Sequence, residues 1–228
     1  MRRRCLPLIL LLVLASCGSS SAASEQSATG TTGTSTTGTS TTGTGTTDRV
    51  STTCGPESAQ TLAVSRRARV YLSAGQVYGC AIATGHSYHL GAGQRSLRQS
   101  HVGVIAVAGR YAGYGLSNFG VDTVSAQVIV RNLANGDVLH EAPAASRVLV
   151  ESFQSIDSIV LKPDGAVAWI SQVGSVVSHG RYLEVHRLDS RGEALLDSGA
   201  GIVSRSLRLH GSTLTWRNGS TARSASLG

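Results

Sequence analysis

A strand–turn–strand pattern that ends in tryptophan occurs twice in this chain and constrains its fold more than any other feature. Residues 158–169 read SIVLKPDGAVAW, and residues 206–216 read SLRLHGSTLTW. In both segments short apolar alternations flank a Gly-containing turn, which is the pattern of a β-hairpin. Weaker copies lie at residues 104–114 (VIAVAGRYAGY) and 69–80 (RVYLSAGQVYGC). The sequence therefore predicts an all-β domain built from a repeated unit.

Each of the three later hairpins is followed by a third strand and, in two units, by a fourth. The third strands read QVIVRNL at 127–133, YLEVHRL at 182–188 and the poorer TARSASL at 221–227. A Gly-containing turn then leads to a fourth strand at Asp137–His140 or Glu193–Leu196. A four-stranded meander of about 40–50 residues has the size of a β-propeller blade.

The two ends of the repeated region leave two arrangements open. The last unit stops at Gly228 without a fourth strand, and residues 59–65 (AQTLAVS) are an unassigned apolar strand at the start. Pairing of these two segments would close a small ring of four blades. An open stack of sheets with exposed edges is the alternative.

One unit carries a family resemblance. It reads LKPDGAVAWISQ at 161–172 and YLEVHRLDSRGE at 182–193. It is similar to a blade of the TolB-type periplasmic propellers, in which a Pro-Asp-Gly turn and an aromatic strand precede an apolar strand ending in Asp-x-x-Gly. The resemblance implies four meander units in a small or incomplete β-propeller-like arrangement.

Trp169 and Trp216 take equivalent positions in the repeat, and we expect both in the core between units rather than on a binding face.

The N-terminus has the pattern of an export signal that ends at a cysteine. Arginines at 2–4 precede ten apolar residues at 6–15 (LPLILLLVLA), too few to span a bilayer as a helix. Leu14-Ala15-Ser16-Cys17 resembles the lipobox of bacterial lipoproteins. An ordinary secretory signal cut near Ala15 or Ala22 is the alternative.

The lipobox resemblance implies that residues 1–16 are a signal peptide and that Cys17 is lipidated. A diacylglycerol on its sulfur and an amide-linked acyl chain, of the palmitate type, would give lasting attachment to the membrane. The protein is then expected to be exported and anchored to the outer face of the cell membrane or to a periplasmic membrane face.

Residues 17–53 are predicted to be a disordered, flexible linker. They contain TTGTSTTGTSTTGTGTT at 31–47 and no large apolar side chain before Val50. With nothing to bury, such a segment cannot offset a backbone entropy of about 1–2 kcal/mol per residue. The folded domain is accordingly predicted to span residues 54–228.

Two cysteines, Cys54 and Cys80, belong to this predicted domain. In an oxidising compartment they most simply form a disulfide, whose loop of about 27 residues would contribute about 3 kcal/mol by the chain-entropy argument. The competing interpretation, a metal pair, would require two further ligands, and none lies at a suitable spacing. We therefore predict no metal and no cofactor.

The charge of the chain is too dilute to indicate a nucleic-acid-binding protein. Without the three leader arginines, 20 basic residues fall to 17 against 13 acidic ones, a net charge of +4. The segment 91–101 (GAGQRSLRQSH) nevertheless concentrates Arg95, Arg98 and His101 with no acidic residue. This composition suits anionic wall polymers or carboxylates, and a solvated loop is the alternative.

No catalytic constellation is predicted. His86 and His89 form an H-x-x-H pattern, but residues at odd separation on a strand point to opposite faces. The segment Gly85-His86-Ser87-Tyr88-His89 falls one residue short of the G-x-S-x-G elbow, which also requires a following helix. The sequence favours a non-enzymatic, membrane-anchored lipoprotein whose domain binds a protein or a cell-envelope component. An extracytoplasmic hydrolase is the alternative.

Overall fold

The computed structural model describes residues 54–146, 152–175 and 180–228. These ranges form fifteen β-strands and no helix, so the prediction of an all-β fold is confirmed. Within them there is accordingly no helix long and apolar enough to cross a membrane. The predicted signal peptide, the predicted lipidation site Cys17 and the predicted linker of residues 17–53 lie outside the described residues.

The strands form four antiparallel meanders, which we call units 1 to 4. Unit 1 contains β1 (Gln60–Val64), β2 (Ala68–Ser73), β3 (Gln76–Ala81) and β4 (Ser87–Ala92). Unit 2 contains β5 (His101–Ala108), β6 (Tyr111–Phe119), β7 (Val124–Asn132) and β8 (Val138–Pro143). Unit 3 contains β9 (Ser152–Leu161), β10 (Val167–Ser175), β11 (Arg181–Asp189) and β12 (Gly192–Gly199). Unit 4 contains β13 (Arg208–His210), β14 (Thr213–Asn218) and β15 (Thr221–Ser226).

Units 1 to 3 are joined into one large mixed sheet by single parallel pairs. Ala92 at the end of β4 pairs with His101 at the start of β5, and Val124 of β7 pairs with Phe153 of β9. Unit 4 is a separate three-stranded sheet. The first strands of successive units, β1, β5, β9 and β13, lie against one another in order.

In unit 1 the predicted strands are shifted by one strand within the meander. Residues 69–80 were expected to supply its first two strands, but they form β2 and β3, because β1 pairs with β2 and takes the first position. The strand predicted at residues 59–65, which was assigned to no unit, is this β1, and four of its five residues are exposed. In units 2, 3 and 4 the predicted order of strands agrees with the structure.

Three hydrophobic clusters fill the interfaces between successive units. The middle units bury both faces, and the period-2 alternation of their strands decides which side chain enters which cluster. In β10, Val167 and Trp169 face unit 2, whereas Ala168 and Ile170 face unit 4. In β6, likewise, Tyr114 lies in the interface with unit 1 and Tyr111 lies in the interface with unit 3.

The two tryptophans occupy matching buried positions, as predicted. Trp169 is fully buried between units 2 and 3, and its Nε1–H donates to the carbonyl of Ala144, 2.8 Å away. Trp216 is 4% exposed between units 3 and 4, and its Nε1–H donates to Asp197 Oδ2, also at 2.8 Å. Each indole thus connects the second strand of its unit to the preceding unit. Trp216 bonds to the last strand of unit 3, and Trp169 bonds to the residue just after the last strand of unit 2.

The outer faces of units 1 and 4 differ from the faces between units. On unit 1, Tyr71 packs with the disulfide formed by Cys54 and Cys80, whose Cα atoms are 5.7 Å apart. This confirms the predicted disulfide. On unit 4, the outward residues of β14, Thr213, Thr215 and Arg217, alternate with its buried Leu214 and Trp216. A covered face at one end and a polar face at the other are what terminate a stack of repeated units.

Ring closure by pairing of the two ends does not occur in the described residues. There, β1 pairs with β2 and β15 pairs with β14, and neither pairs with the other. No hydrophobic cluster among these residues joins unit 4 to unit 1.

The domain has two ends, defined by the turns that lie there. At the lower end, the turns β1–β2 and β5–β6 are joined by a hydrogen bond from Ser65 Oγ to the carbonyl of Gly109, 2.6 Å away, and Pro163 of the β9–β10 turn lies beside Gly109. At the upper end lie the β6–β7 turn and the connection from β4 to β5.

Candidate functional site

The candidate binding loop, residues 93–100, crosses the upper end from the last strand of unit 1 to the first strand of unit 2. Its base is fixed by backbone bonds from Ala92 N–H to the Ser100 carbonyl and from Gly93 N–H to the Gly75 carbonyl, 2.9 and 2.8 Å long. Between them, Ser96 and Gln99 form an isolated antiparallel bridge. The loop is therefore short and held at both ends.

Arg95 and His101 meet around one aromatic ring. The guanidinium carbon of Arg95 lies 5.8 Å from the centroid of the Phe119 ring, within the range of a cation–π contact. The His101 ring approaches the same phenyl ring edge-on, with centroids 6.3 Å apart. Phe119 ends β6, which pairs with β5 through His101 and Ser117. The register of these two strands thus brings the loop and the aromatic ring together.

Apolar and polar side chains alternate on this surface. Leu97 is 74% exposed, and Val121, in the β6–β7 turn, is 94% exposed. Arg98 lines a shallow cavity of about 170 Å³ together with Leu97 and Phe119. We call Arg95, Leu97, Arg98, His101, Phe119 and Val121 the upper patch. Exposed aliphatic groups beside unpaired cations are typical of a protein-binding surface.

The loop of the upper patch carries two arginines that are free of carboxylate partners among the described residues. None of the ion pairs in the described part of the chain includes Arg95 or Arg98. Partial burial, and then the positive charge of Arg95, lower the pKa of His101 below its ordinary value. His101 is consequently biased toward its neutral form, and the two guanidinium groups supply the charge for an anionic ligand.

The sequence identified all three polar members of the patch but missed its aromatic centre. Arg95, Arg98 and His101 were singled out because they share an acid-free loop. Phe119 lies 18 residues after His101 at the end of another strand, and only the pairing of β5 with β6 brings it close. A partly exposed phenylalanine at a strand end, in a chain with two Phe in all, was the available signal.

The serine and histidine patterns do not assemble into a reactive group. His86 is exposed before β4, and His89 bonds to Gln76 Oε1 at 2.9 Å. Ser87 Oγ accepts a hydrogen bond from the Tyr71 hydroxyl, 3.1 Å away, rather than from a histidine. Across the described residues, no three His, Cys, Asp or Glu side chains are grouped closely enough to hold a metal ion.

A buried polar cluster in unit 3 was not foreseen. Glu184 and His186 are 2% and 1% exposed, and His186 Nε2 lies 2.8 Å from Glu184 Oε2. Glu184 also accepts hydrogen bonds from the backbone N–H and the hydroxyl of Ser146, both at 2.8 Å. Burial raises the pKa of Glu184, but these donors outweigh it and hold that pKa below its ordinary value. The cluster fastens the segment after β8 to unit 3.

The chain matches no protein-family model and no curated protein sequence.

Proposed function

We propose that this protein is an exported lipoprotein, anchored through Cys17, whose domain binds an anionic protein or cell-envelope component through the upper patch. The anchor is supported by the lipobox-like Leu14-Ala15-Ser16-Cys17 behind a ten-residue apolar core. Residues 17–53 would then act as a flexible tether between the lipid and the domain.

The β-propeller-like interpretation of the domain is part of this proposal. Its support is the succession of meanders whose first strands adjoin and whose second strands carry matching aromatic side chains. Four units stacked in this way would form an incomplete propeller, since the ends are not paired among the described residues. Rigid stacked sheets of this kind present their connecting loops as a fixed binding surface.

The observation that carries the proposed function is the grouping of Arg95 and His101 around Phe119. A guanidinium held over a ring has lost part of its conformational freedom, so less entropy remains to be lost when it binds a carboxylate. The exposed Leu97 and Val121, on the same end of the domain, add apolar surface. Aromatic and arginine side chains at the centre of such a surface are the residue types that dominate binding energy.

Site-specific crosslinking in cells tests this proposal. A photoreactive amino acid at Val121 should yield a discrete crosslinked species, and Arg95→Glu/Arg98→Glu should remove at least nine-tenths of it. The same photoreactive residue at Val203, which is 45% exposed and outside the patch, is the control. The same adduct from both positions, or an adduct from Val121 that is indifferent to the arginine changes, would argue against the upper patch.

A further inference from the structure

We propose that the lower end of the domain docks onto an anionic phospholipid surface through Arg66, Arg67 and Arg110. All three side chains are exposed. Arg66 and Arg67 follow Ser65, and Arg110 follows Gly109, the two residues joined by the 2.6 Å hydrogen bond between neighbouring turns. The three arginines therefore lie on two adjoining turns at the same end of the domain. We call them the lower arginines.

The lower arginines form no direct ion pair with a carboxylate of the described residues. Asp164, on the adjacent β9–β10 turn, is paired with Lys162 at 3.0 Å. Arg110 instead lies over the Tyr111 ring, 5.3 Å from its centroid, and donates to the Tyr111 hydroxyl.

Three further carboxylates belong to other turns of the lower end. Asp189 is buried against Arg187 and Arg191, and Glu193 lies 3.6 Å from His186. Asp137 accepts a hydrogen bond from Asn135. These three belong to the turns β7–β8 and β11–β12, at the far side of units 2 and 3 from the first strands, so the positive charge is concentrated where the first turns meet.

The polypeptide enters the domain beside the same arginines. The disulfide fixes Cys54 to Cys80, one residue before the lower end of β3. Arg69 donates to the Cys54 carbonyl at 2.7 Å, and Ile82 N–H donates to the Arg67 carbonyl at 3.0 Å. The first described residue, Cys54, therefore lies at the end of the domain that carries the lower arginines. The upper patch lies at the opposite end.

The docking rests on the proposed function, because a membrane anchor makes a weak surface interaction sufficient. One basic residue near an anionic leaflet increases partitioning about fivefold, so three correspond to an increase on the order of a hundredfold. That is weak for a protein free in solution. A tether raises the effective concentration of the surface into the millimolar range, at which such an interaction is populated. Docking by the lower end would direct the upper patch away from the lipid.

Arginine footprinting of the full chain tests the proposal. The protein isolated from membranes is reconstituted in vesicles of pure phosphatidylcholine or of phosphatidylcholine with about one-third phosphatidylglycerol. Phenylglyoxal, which modifies exposed arginine, then reports each site by peptide mass spectrometry. We expect the lower arginines to react at least fivefold more slowly in the anionic vesicles and to recover in 0.5 M NaCl. Arg95 and Arg98, the internal controls, should change less than twofold.

A variant separates docking from general attraction. Arg66→Gln/Arg67→Gln should abolish the protection of Arg110, whereas Arg95→Gln/Arg98→Gln, with the same change of charge, should leave it intact. Equal reactivity of the lower arginines in both lipids, or equal protection of Arg95 and Arg98, would overturn the proposal. Flotation shows separately whether the chain is anchored. If it is not, the reactivity of the lower arginines is measured on soluble protein with high concentrations of the same vesicles. Slower reaction in the anionic vesicles then still supports docking, and equal reaction contradicts it.

Discussion

The indole of Trp169 and the imidazole of His186 stack in parallel, with ring centroids 5.0 Å apart and planes 5° apart. The two residues are direct partners in the pairing of β10 with β11. His186 binds Glu184, Glu184 binds Ser146, and the Trp169 N–H binds Ala144. Two rings of unit 3 therefore hold the same three-residue segment, 144–146, that follows the last strand of unit 2.

Loss of either indole should strongly destabilise the domain. Trp169→Ala and Trp216→Ala each empty a large buried site, and we expect each to cost about 3–5 kcal/mol of unfolding free energy. Such a loss can unfold a domain of ordinary stability. Thermal or urea unfolding measures it. Trp169→Phe, which keeps most of the volume and loses the bond to Ala144, should cost less. Unchanged stability in both alanine variants would contradict the equivalence of the two repeat positions.

The fold was more predictable than the site because the two depend on different ranges of sequence. A meander is local, so alternation and turn residues identified the later hairpins, and the matching of Trp169 with Trp216 identified the repeat. The strand at β1 was predicted, but its place as the first strand of unit 1 was not, because the pairing of β1 with β2 is not encoded in its own residues. The Phe119 contact and the Glu184 cluster depend on strand register and on packing between units, which no local pattern encodes.

The disulfide should contribute about 3 kcal/mol of stability. Cys54→Ala and Cys80→Ala should each lower the unfolding free energy by about this amount, and the double variant should be no worse than either, because one single change already removes the bond. Mass spectrometry of unreduced native protein checks the bond itself. Free thiols at Cys54 and Cys80 would contradict the disulfide. A double variant clearly less stable than both singles would show that more than the loss of this bond lowers the stability.

Cys17→Ser should move the protein from the membrane fraction to the soluble exported fraction. The reason is that lipidation on sulfur needs the thiol, and the apolar segment before it is too short to act as a spanning helix. Fractionation followed by immunodetection measures the change, with Cys5→Ser as the matched control that leaves the lipobox-like segment intact. A Cys17→Ser chain that still requires detergent for extraction would show that lipid on Cys17 is not the anchor.

Asp189 should make stability depend on acid. Hydrogen bonds from Arg191, and further ones from Gly228 N–H and Arg187, hold the pKa of this buried carboxyl far below its ordinary value. A lowered folded-state pKa gives stability that is complete above the unfolded-state pKa, about 4, and is lost as the pH falls toward the folded-state value. Asp189→Asn should therefore cost about 2–3 kcal/mol at pH 7 and progressively less below pH 4.

Unfolding by urea between pH 7 and pH 2.5 measures this dependence. Asp164→Asn is the matched control, since Asp164 also lies near the end of a strand and pairs with a cation, but its side chain is 55% exposed. Exposed pairs contribute little, so the control should change stability by less than about 1 kcal/mol. A constant difference between wild type and Asp189→Asn over the whole pH range would show that the carboxylate charge is not the source of the effect.

The pKa of His101 should report the contact between Arg95 and Phe119 in the upper patch. Burial is the larger cause of its lowered pKa, and the charge of Arg95 is the second. Arg95→Gln removes the second cause only, so the pKa of His101 should rise but stay below its ordinary value of about 6.5. Two-dimensional NMR of the imidazole Cε1–H signal measures the shift.

Arg98→Gln, a loss of the same charge from the same loop, should change that pKa less. An anionic ligand bound at Arg95 should likewise raise it, because it offsets the guanidinium charge. If Arg95→Gln leaves the titration unchanged, or Arg98→Gln moves it more, the Arg95–Phe119–His101 grouping is not the arrangement that the protein adopts in solution.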